Sequence, residues 1–425
     1  MSILIKRARI VNPARNEDFV GDIYIEGEKI AAIAEDLFEY LSKADTVIDA
    51  NHFIAAPGLV DMHVHLRDPG YTDKEDIHSG CRAAAAGGVT AVLAMPNTNP
   101  AVDSPETVHY ILDKAKTADA DVYTTACITK GIQGKEMCDF KALKEAGAIA
   151  LSDDGRPVLS TLHLLEALQA AQQLGMIVVS HCEDLTAIGD ICINEGNVSK
   201  ELGLFGNHRA VEDCGTAREI AAAAAVNAPL HICHVSTKGS VEFIRDAKRR
   251  GLSITAETAP HYLMLTEEEI RRKDADFKMN PPLRTDEDRQ ALIQALKDGT
   301  IDAIATDHAP HTPQEKSDFI HSPNGSIGME TSLSATLTAL DGILTVPEII
   351  RKMSVNPAEI LKIPAGELAV GKLANLVLFD ENEQWIVDEN KLHGKSKNTP
   401  FKGMKLKGKV KYTIFRGRKV YEDEK

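Results

Sequence analysis

In the middle of the chain, eight near-continuous apolar runs alternate with stretches whose apolar residues recur every three or four positions. The runs fall at 59–65, 90–97, 122–129, 148–154, 177–182, 230–236, 253–258 and 301–307, and helical periodicity is clearest at 161–174, 217–225 and 287–296. A run apolar at nearly every position suits a strand buried on both faces, and a 3.6-residue stripe suits a helix laid against it. Eight such units predict an α/β fold, a (β/α)8 TIM-like barrel over residues 56–364, with a doubly wound open sheet as the alternative. The two ends of the chain read differently. Residues 3–11, 22–34 and 46–49, and then 376–380, 384–387 and 412–421, read as strands of period two, with a turn at Glu26-Gly27-Glu28. Neither end can bury a core alone, so 1–55 and 365–425 are expected to pair into one small β-rich domain.

The apolar runs end in polar groups: His63 and His65, Asn97, Asp153 and Asp154, His181, His234, Glu257 and Asp307. In a barrel the carboxyl ends of all strands converge on one mouth, so these distant positions become neighbours. Ordinary strand-to-loop transitions call for Ser, Thr, Asn and Gly, whereas His and Asp are the enriched types here, and these bind zinc. His63 and His65 share a face of their strand while Met62, Val64 and Leu66 take the other. Taken alone, His-x-His fits two solvated histidines as well as a metal grip. By the same alternation Cys182 and Cys233 should face outward as apolar filler. His231, at the start of its strand, belongs to the far end of the barrel. His308 should face away from the mouth, His261 reads as a loop histidine, and Glu267-Glu268-Glu269 reads as a solvated helix start. Residues 312–328 form a long loop with no period, the kind that serves compact enzymes as a lid.

Composition narrows the chemistry. A formal charge of −15 and a pI near 5.5 exclude nucleic acid and an acidic membrane as partners. No run approaches membrane-spanning length, and Met1-Ser2-Ile3-Leu4-Ile5-Lys6 has no secretory core, so the cytoplasm is expected. Seven cysteines with no Cys-x-x-Cys pair read as reduced thiols.

The motifs together are far more specific than any one of them. Met62-His63-Val64-His65-Leu66-Arg67-Asp68-Pro69-Gly70, Met95-Pro96-Asn97-Thr98, Ser152-Asp153-Asp154-Gly155, His181-Cys182-Glu183-Asp184, His234-Val235-Ser236, Met279-Asn280-Pro281-Pro282-Leu283-Arg284 and Asp307-His308-Ala309-Pro310-His311 run through the chain. This pattern resembles the amidohydrolase superfamily and, within it, the dihydroorotases of the bacterial class I type. The resemblance implies a barrel with two zinc ions per subunit, His63, His65 and Asp307 holding the first and His181 and His234 the second. Relatives often bridge the metals with a carboxylated lysine on the fourth strand. That strand here ends in Asp153-Asp154, so a carboxylate must bridge; the class I pattern favours Asp154. Two zinc ions less Asp154, Asp307 and a shared hydroxide leave the centre about one unit positive, open to an anion.

The implied activity is reversible interconversion of N-carbamoyl-L-aspartate and dihydroorotate in pyrimidine biosynthesis, with Asp307 as the catalytic proton carrier. Arg67 would grip the substrate carboxylate as a two-pronged fork. The resemblance adds His65, Asn97 and His311 around the carboxylate and ring, Asn280 at the ring amide, and the backbone of Asn324 and Gly325. Where the family commonly has Pro-Phe-Gly, this chain has Pro323-Asn324-Gly325. The implied partners are the small-molecule substrate, a second copy in a homodimer, and an aspartate transcarbamoylase. The rival readings are another cyclic-amide hydrolase, such as hydantoinase or allantoinase, and an inactive scaffold for the transcarbamoylase.

Overall fold

The computed structural model describes residues 2–423. Eight parallel strands pair in chain order: Leu59–Val64, Val89–Ala94, Asp121–Ala126, Ala150–Leu151, Ile177–Ser180, Leu230–Ile232, Ile254–Thr258 and Ala303–Ile304. The last meets the first. Thr306 donates its backbone N–H (3.0 Å) and its hydroxyl (2.5 Å) to the Asp61 carboxylate, and the His65 N–H donates to the His308 carbonyl (2.8 Å). The sheet therefore closes into the expected barrel rather than lying open. Helices cover it, among them Thr161–Gln173, Ala210–Val226 and Asp286–Asp298. The last starts in a reciprocal cap between Thr285 and Asp288.

The barrel interior is filled by small and medium-sized apolar side chains, with Val60, Met62, Leu93, Val179 and Cys233 among them, and closed below by Ala358 and Leu361. Val64 and Leu66 instead pack under the helices. Strict alternation would have sent Met62 outward with them. The pairing to the second strand shifts register between Asp61 and Val64, and this irregularity lets Met62 keep an interior place beside His63. Cys182 lies in the outer layer as expected, but Cys233 points into the barrel.

The chain ends form a second, eight-stranded sheet. Ser2–Asn12, Glu17–Glu26, Lys29–Ala34, Thr46–Asp49 and Ile54–Pro57 come from one end, and Leu376–Ile386, Lys405–Phe415 and Arg418–Glu422 from the other. Ile54–Pro57 runs antiparallel to Leu376–Ile386, which joins the two contributions. Along that last strand Leu376 and Leu378 enter the sheet's own core with Ile3, Ile23 and Ile414, while Val377 and Phe379 enter the barrel's outer core. The sheet is thus packed on both faces. Two local expectations change. The stretches 376–380 and 384–387 are one strand with an irregularity between Asp380 and Gln384. The stretch 412–421 is a hairpin that turns at Arg416 (φ 48°) and Gly417 (φ 67°). Two consecutive positive φ values make a primed turn, whose twist matches that of the strands.

Among the described residues no helix is long and apolar enough to cross a membrane. Glu267, expected in solvent, is buried and accepts a bond from Asn194 Nδ2 (2.6 Å).

The seam between first and last strands gives a stability prediction. Asp61→Ala leaves the buried Thr306 N–H without an acceptor, which costs roughly 1–3 kcal/mol, so the urea midpoint should fall clearly, and Asp61→Asn, which keeps one acceptor, should fall less.

Candidate metal centre and active site

The strand ends bring the histidines and acids to one point at the mouth. Asp154 Oδ1 lies 3.4 Å from His63 Nε2, 3.8 Å from His181 Nδ1 and 3.9 Å from His234 Nε2, and Asp154 Oδ2 lies 3.6 Å from His65 Nε2. Asp307 Oδ1 lies 3.1 Å from His65 Nε2 and 3.6 Å from His63 Nε2. The His181 Nδ1 and His234 Nε2 atoms face each other at 2.9 Å. Two groups of three could each hold a metal ion, His63, His65 and Asp154, and Asp154, His181 and His234, with ligand atoms all within 4.8 Å of one another. Asp154 is common to both. Its neighbour Asp153 turns away and accepts from Ile128 N (2.8 Å), Thr129 N (3.0 Å) and Thr129 Oγ1 (2.5 Å), which ties down the loop after the third strand.

The donor set fits a cation. His63 Nε2 and Asp154 Oδ1 are buried and have no hydrogen-bond partner in the structure. Unpaired buried polar atoms are costly unless something else engages them, and imidazole nitrogens with carboxylate oxygens are the donors that divalent zinc prefers.

Three of the four rings also have a polar group behind them. The His65 Nδ1–H donates to Asn97 Oδ1 (2.8 Å), which leaves Nε2 as the lone-pair nitrogen facing Asp307. Asn97 Nδ2 in turn donates to Asp154 Oδ2 (3.2 Å). His181 Nε2–H donates to Glu183 Oε2 (3.1 Å), leaving Nδ1 for the cluster. Beneath His63, its Nδ1 lies 3.2 Å from Glu257 Oε1, and His231 Nε2 lies 3.3 Å from Glu257 Oε2. His231 is therefore not remote from the site, because Glu257 spans the gap between the floor and His63. Cys233 reaches the same spot, and His63, Cys233 and Glu257 form a third group of potential ligands. Burial pushes the Cys233 thiol up to about 12. Glu183 and Glu257 were visible at strand ends, but the pattern gave them no role; only the fold shows which ring each one touches.

Burial works against charge throughout this cluster, and pairing overrides it. Asp154 is held well below the usual carboxylate range by His63, His234 and His65, and Asp307 is held at about 2 by His65 beside it and by the other nearby imidazoles. Against burial, Asp154 draws His63 well above its ordinary value, and Glu183 draws His181 upward. His65 moves the other way, lowered by burial and by the charge on Arg67. Arg67 (φ 60°), His234 (φ 35°) and Asp307 (φ 48°) all sit in the left-handed region, a strain that side chains with Cβ tolerate only where the surroundings enforce it.

Above the cluster opens a cavity of about 250 Å³. His65, Asp154, His181, His234 and Asp307 form its floor, and Arg67, Asn97, Asn280, His311, Asn324 and Gly325 its walls. His63 is sealed below. Arg67 Nε donates to the Pro310 carbonyl (3.2 Å), and Arg67 Nη2 lies 3.4 Å from His311 Nε2. Asn280 Nδ2 donates to Glu183 Oε2 (3.3 Å). His311 Nε2–H donates to the Asn324 carbonyl (2.9 Å). Gly325 has φ 127°, and a Cβ there would lie 2.6 Å from the Ala309 Cβ, so only glycine fits this wall. His308 faces away and accepts from the Gly328 N–H (3.2 Å) at Nδ1. His261 lies in a short helix, Pro260–Met264, not in a loop, and burial lowers it to about 4.

Residues 53–240 match the family described as Dihydro-orotase-like. The chain is 47% identical over 427 residues to a dihydroorotase of Syntrophus aciditrophicus, covering 100% of both chains. It is 48% identical over 409 residues to a dihydroorotase of Geobacter sulfurreducens, covering 96% of each. Among solved structures, the L-hydantoinase (dihydropyrimidinase) of Arthrobacter aurescens superposes with a TM-score of 0.88 at 25% identity, covering 100% of this chain and 96% of the other. The D-hydantoinase of a Thermus species gives 0.83 at 26% identity, covering 100% and 97%. The fold is thus shared with cyclic-amide hydrolases in general, and the sequence is narrower: this chain belongs to the dihydroorotase family.

Proposed function

We propose that the chain is a zinc-dependent dihydroorotase that interconverts N-carbamoyl-L-aspartate and dihydroorotate in the cytoplasmic synthesis of pyrimidines. The observation that carries this reading is Arg67. Its guanidinium stands at the wall of the cavity, and among the described residues no carboxylate pairs with it; it donates to a backbone carbonyl and lies against the edge of His311. A half-buried cation that faces the cavity without its own anion is a receptor for one, and dihydroorotate carries an exocyclic carboxylate of the right charge and planarity.

In this reading His63, His65 and Asp307 would hold one zinc ion and His181 and His234 the other, with Asp154 in reach of both groups. Zinc held there lowers the pKa of water and polarises an amide carbonyl. The rest is the work of the chain. Arg67, with His311 beside it, fixes the substrate carboxylate, and Asn280 faces the ring amide. This sets one carbonyl over the floor of the cavity. Asp307, ionised at neutral pH, accepts the proton of the attacking water and passes it to the ring nitrogen as that nitrogen leaves. In the reverse direction it takes the proton from the carbamoyl nitrogen as that nitrogen attacks the side-chain carboxylate carbon, and returns it to the departing oxygen, which leaves as water when the ring closes. Asn97, Glu183 and Glu257 keep the rings aimed throughout.

Hydantoinases share the fold, but hydantoin lacks the exocyclic carboxylate that Arg67 awaits, and the fourth strand here carries Asp153-Asp154 where a lysine would bridge. The scaffold reading fits poorly with a complete set of ligands. A homodimer and an aspartate transcarbamoylase partner rest on the family resemblance.

Three outcomes are expected. The purified protein should contain about two zinc ions per chain by atomic emission, and Asp154→Asn should lower that number. Arg67→Ala should raise KM for dihydroorotate by roughly 10- to 150-fold, the worth of a charge-assisted pair, with zinc content unchanged; an unaltered KM would remove the carboxylate role. Asp307→Asn should reduce kcat by at least about 100-fold while circular dichroism shows the fold intact.

A further inference from the structure

The segment 312–328 supplies Asn324 and Gly325 to the cavity, and it is fastened by two lysines that have no acidic partner. Lys278 is 2% exposed. Its Nζ donates to the carbonyls of Phe319 (2.9 Å), Ile320 (3.0 Å) and Ser322 (2.8 Å). Lys316 reaches back across the same loop, and its Nζ donates to the carbonyls of Gly325 (2.8 Å), Pro323 (3.1 Å) and Lys278 (3.4 Å). The Gly325 N–H closes the knot by donating to the Lys278 carbonyl (2.8 Å). Among the described residues neither ammonium forms an ion pair. Each has three N–H donors and meets three carbonyl oxygens, so both are fully satisfied by backbone alone.

That arrangement is costly, because burying a charge without a counter-charge is unfavourable. Burial lowers the pKa of both lysines, Lys316 to about 8. A loop that only needed to cover the barrel could use apolar contacts. What these ammonium groups add is direction: six carbonyls, five of them between Phe319 and Gly325, are pulled toward two points, which fixes that stretch of backbone. Lys278 stands two residues before Asn280, so the same knot ties both walls of the cavity, Asn280 on one side and Asn324-Gly325 on the other. Asn398 Nδ2 adds a third tie, donating to the Gly325 (3.1 Å) and Ala309 (3.2 Å) carbonyls.

We infer that Lys278 and Lys316 are positioning residues that hold residues 319–325 in the substrate-binding form before substrate arrives, making this segment a fixed wall and not a closing lid. The inference takes its substrate from the proposed function and its geometry from the lysine knot alone.

The test uses the full-length, zinc-loaded protein with Lys316→Met, and Lys278→Met as a second variant. Loss of these charge-assisted bonds should raise KM for dihydroorotate about tenfold or more, with kcat within about threefold of wild type and zinc content unchanged. Amide hydrogen exchange should speed up by at least about tenfold across 319–325, while the barrel strands stay protected as in wild type. An unchanged KM or unchanged exchange in Lys316→Met would overturn the inference. So would a loss of zinc and kcat together, which would place the lysines in the folding of the centre. If the wild-type protein does not turn over dihydroorotate at all, the proposed function fails, while the exchange measurement still decides the role of the lysines.

Discussion

The closure of the barrel between its first and last strands is the constraint on which the site depends. Asp61 and Thr306 form that seam in the interior, where burial pushes the Asp61 carboxyl up to about 6 even as the two bonds from Thr306 oppose the shift. Two residues beyond Asp61 comes His63, and one residue beyond Thr306 comes Asp307. Closing the seam is therefore the same event as bringing the His-x-His pair against its aspartate. The left-handed backbone at Asp307 and His234 is the local cost of turning those side chains into the mouth.

Around this seam the structure orders the rings from behind. Asn97, Glu183 and Glu257 come from the ends of the second, fifth and seventh strands, and each lies at the nitrogen that faces away from the cluster in one histidine. Asn97 also holds Asp154, so one amide couples the two halves of the centre. Such outer partners set which nitrogen is free and how the ring points. The arrangement is strained and highly charged for a buried region, which is what a preorganised site requires and what a core selected only for stability would avoid.

Much of this was legible in the sequence, for physical reasons that also mark the limit. Strands buried on both faces leave continuous apolar runs, and a shared mouth leaves acids and histidines at their ends, so the barrel, the second sheet and the gathering of His63, His65, Asp154, His181, His234 and Asp307 could all be anticipated. Alternation failed where the backbone departs from ideal pairing. The register shift after Asp61 kept Met62 inside, and Cys233 shares the interior with it. The turn at Arg416-Gly417 lacks the usual Asn-Gly signature, so its sequence does not separate it from continuous strand. Contacts that span the chain leave no local trace at all: Glu257 between His231 and His63, and Lys278 and Lys316 on the carbonyls of 319–325, emerge only in three dimensions.

The superposition on hydantoinases shows that the barrel does not choose the substrate. In the proposed function the choice falls to the walls, above all to the unpaired guanidinium of Arg67 over a floor able to hold metal. The most direct measurement is kcat/KM of the zinc-loaded wild-type protein for dihydroorotate beside that for hydantoin, which offers a cyclic amide without the exocyclic carboxylate. The account predicts turnover of dihydroorotate at a kcat/KM at least about 100-fold higher, as the loss of a buried charged pair implies. Equal or faster turnover of hydantoin would contradict it.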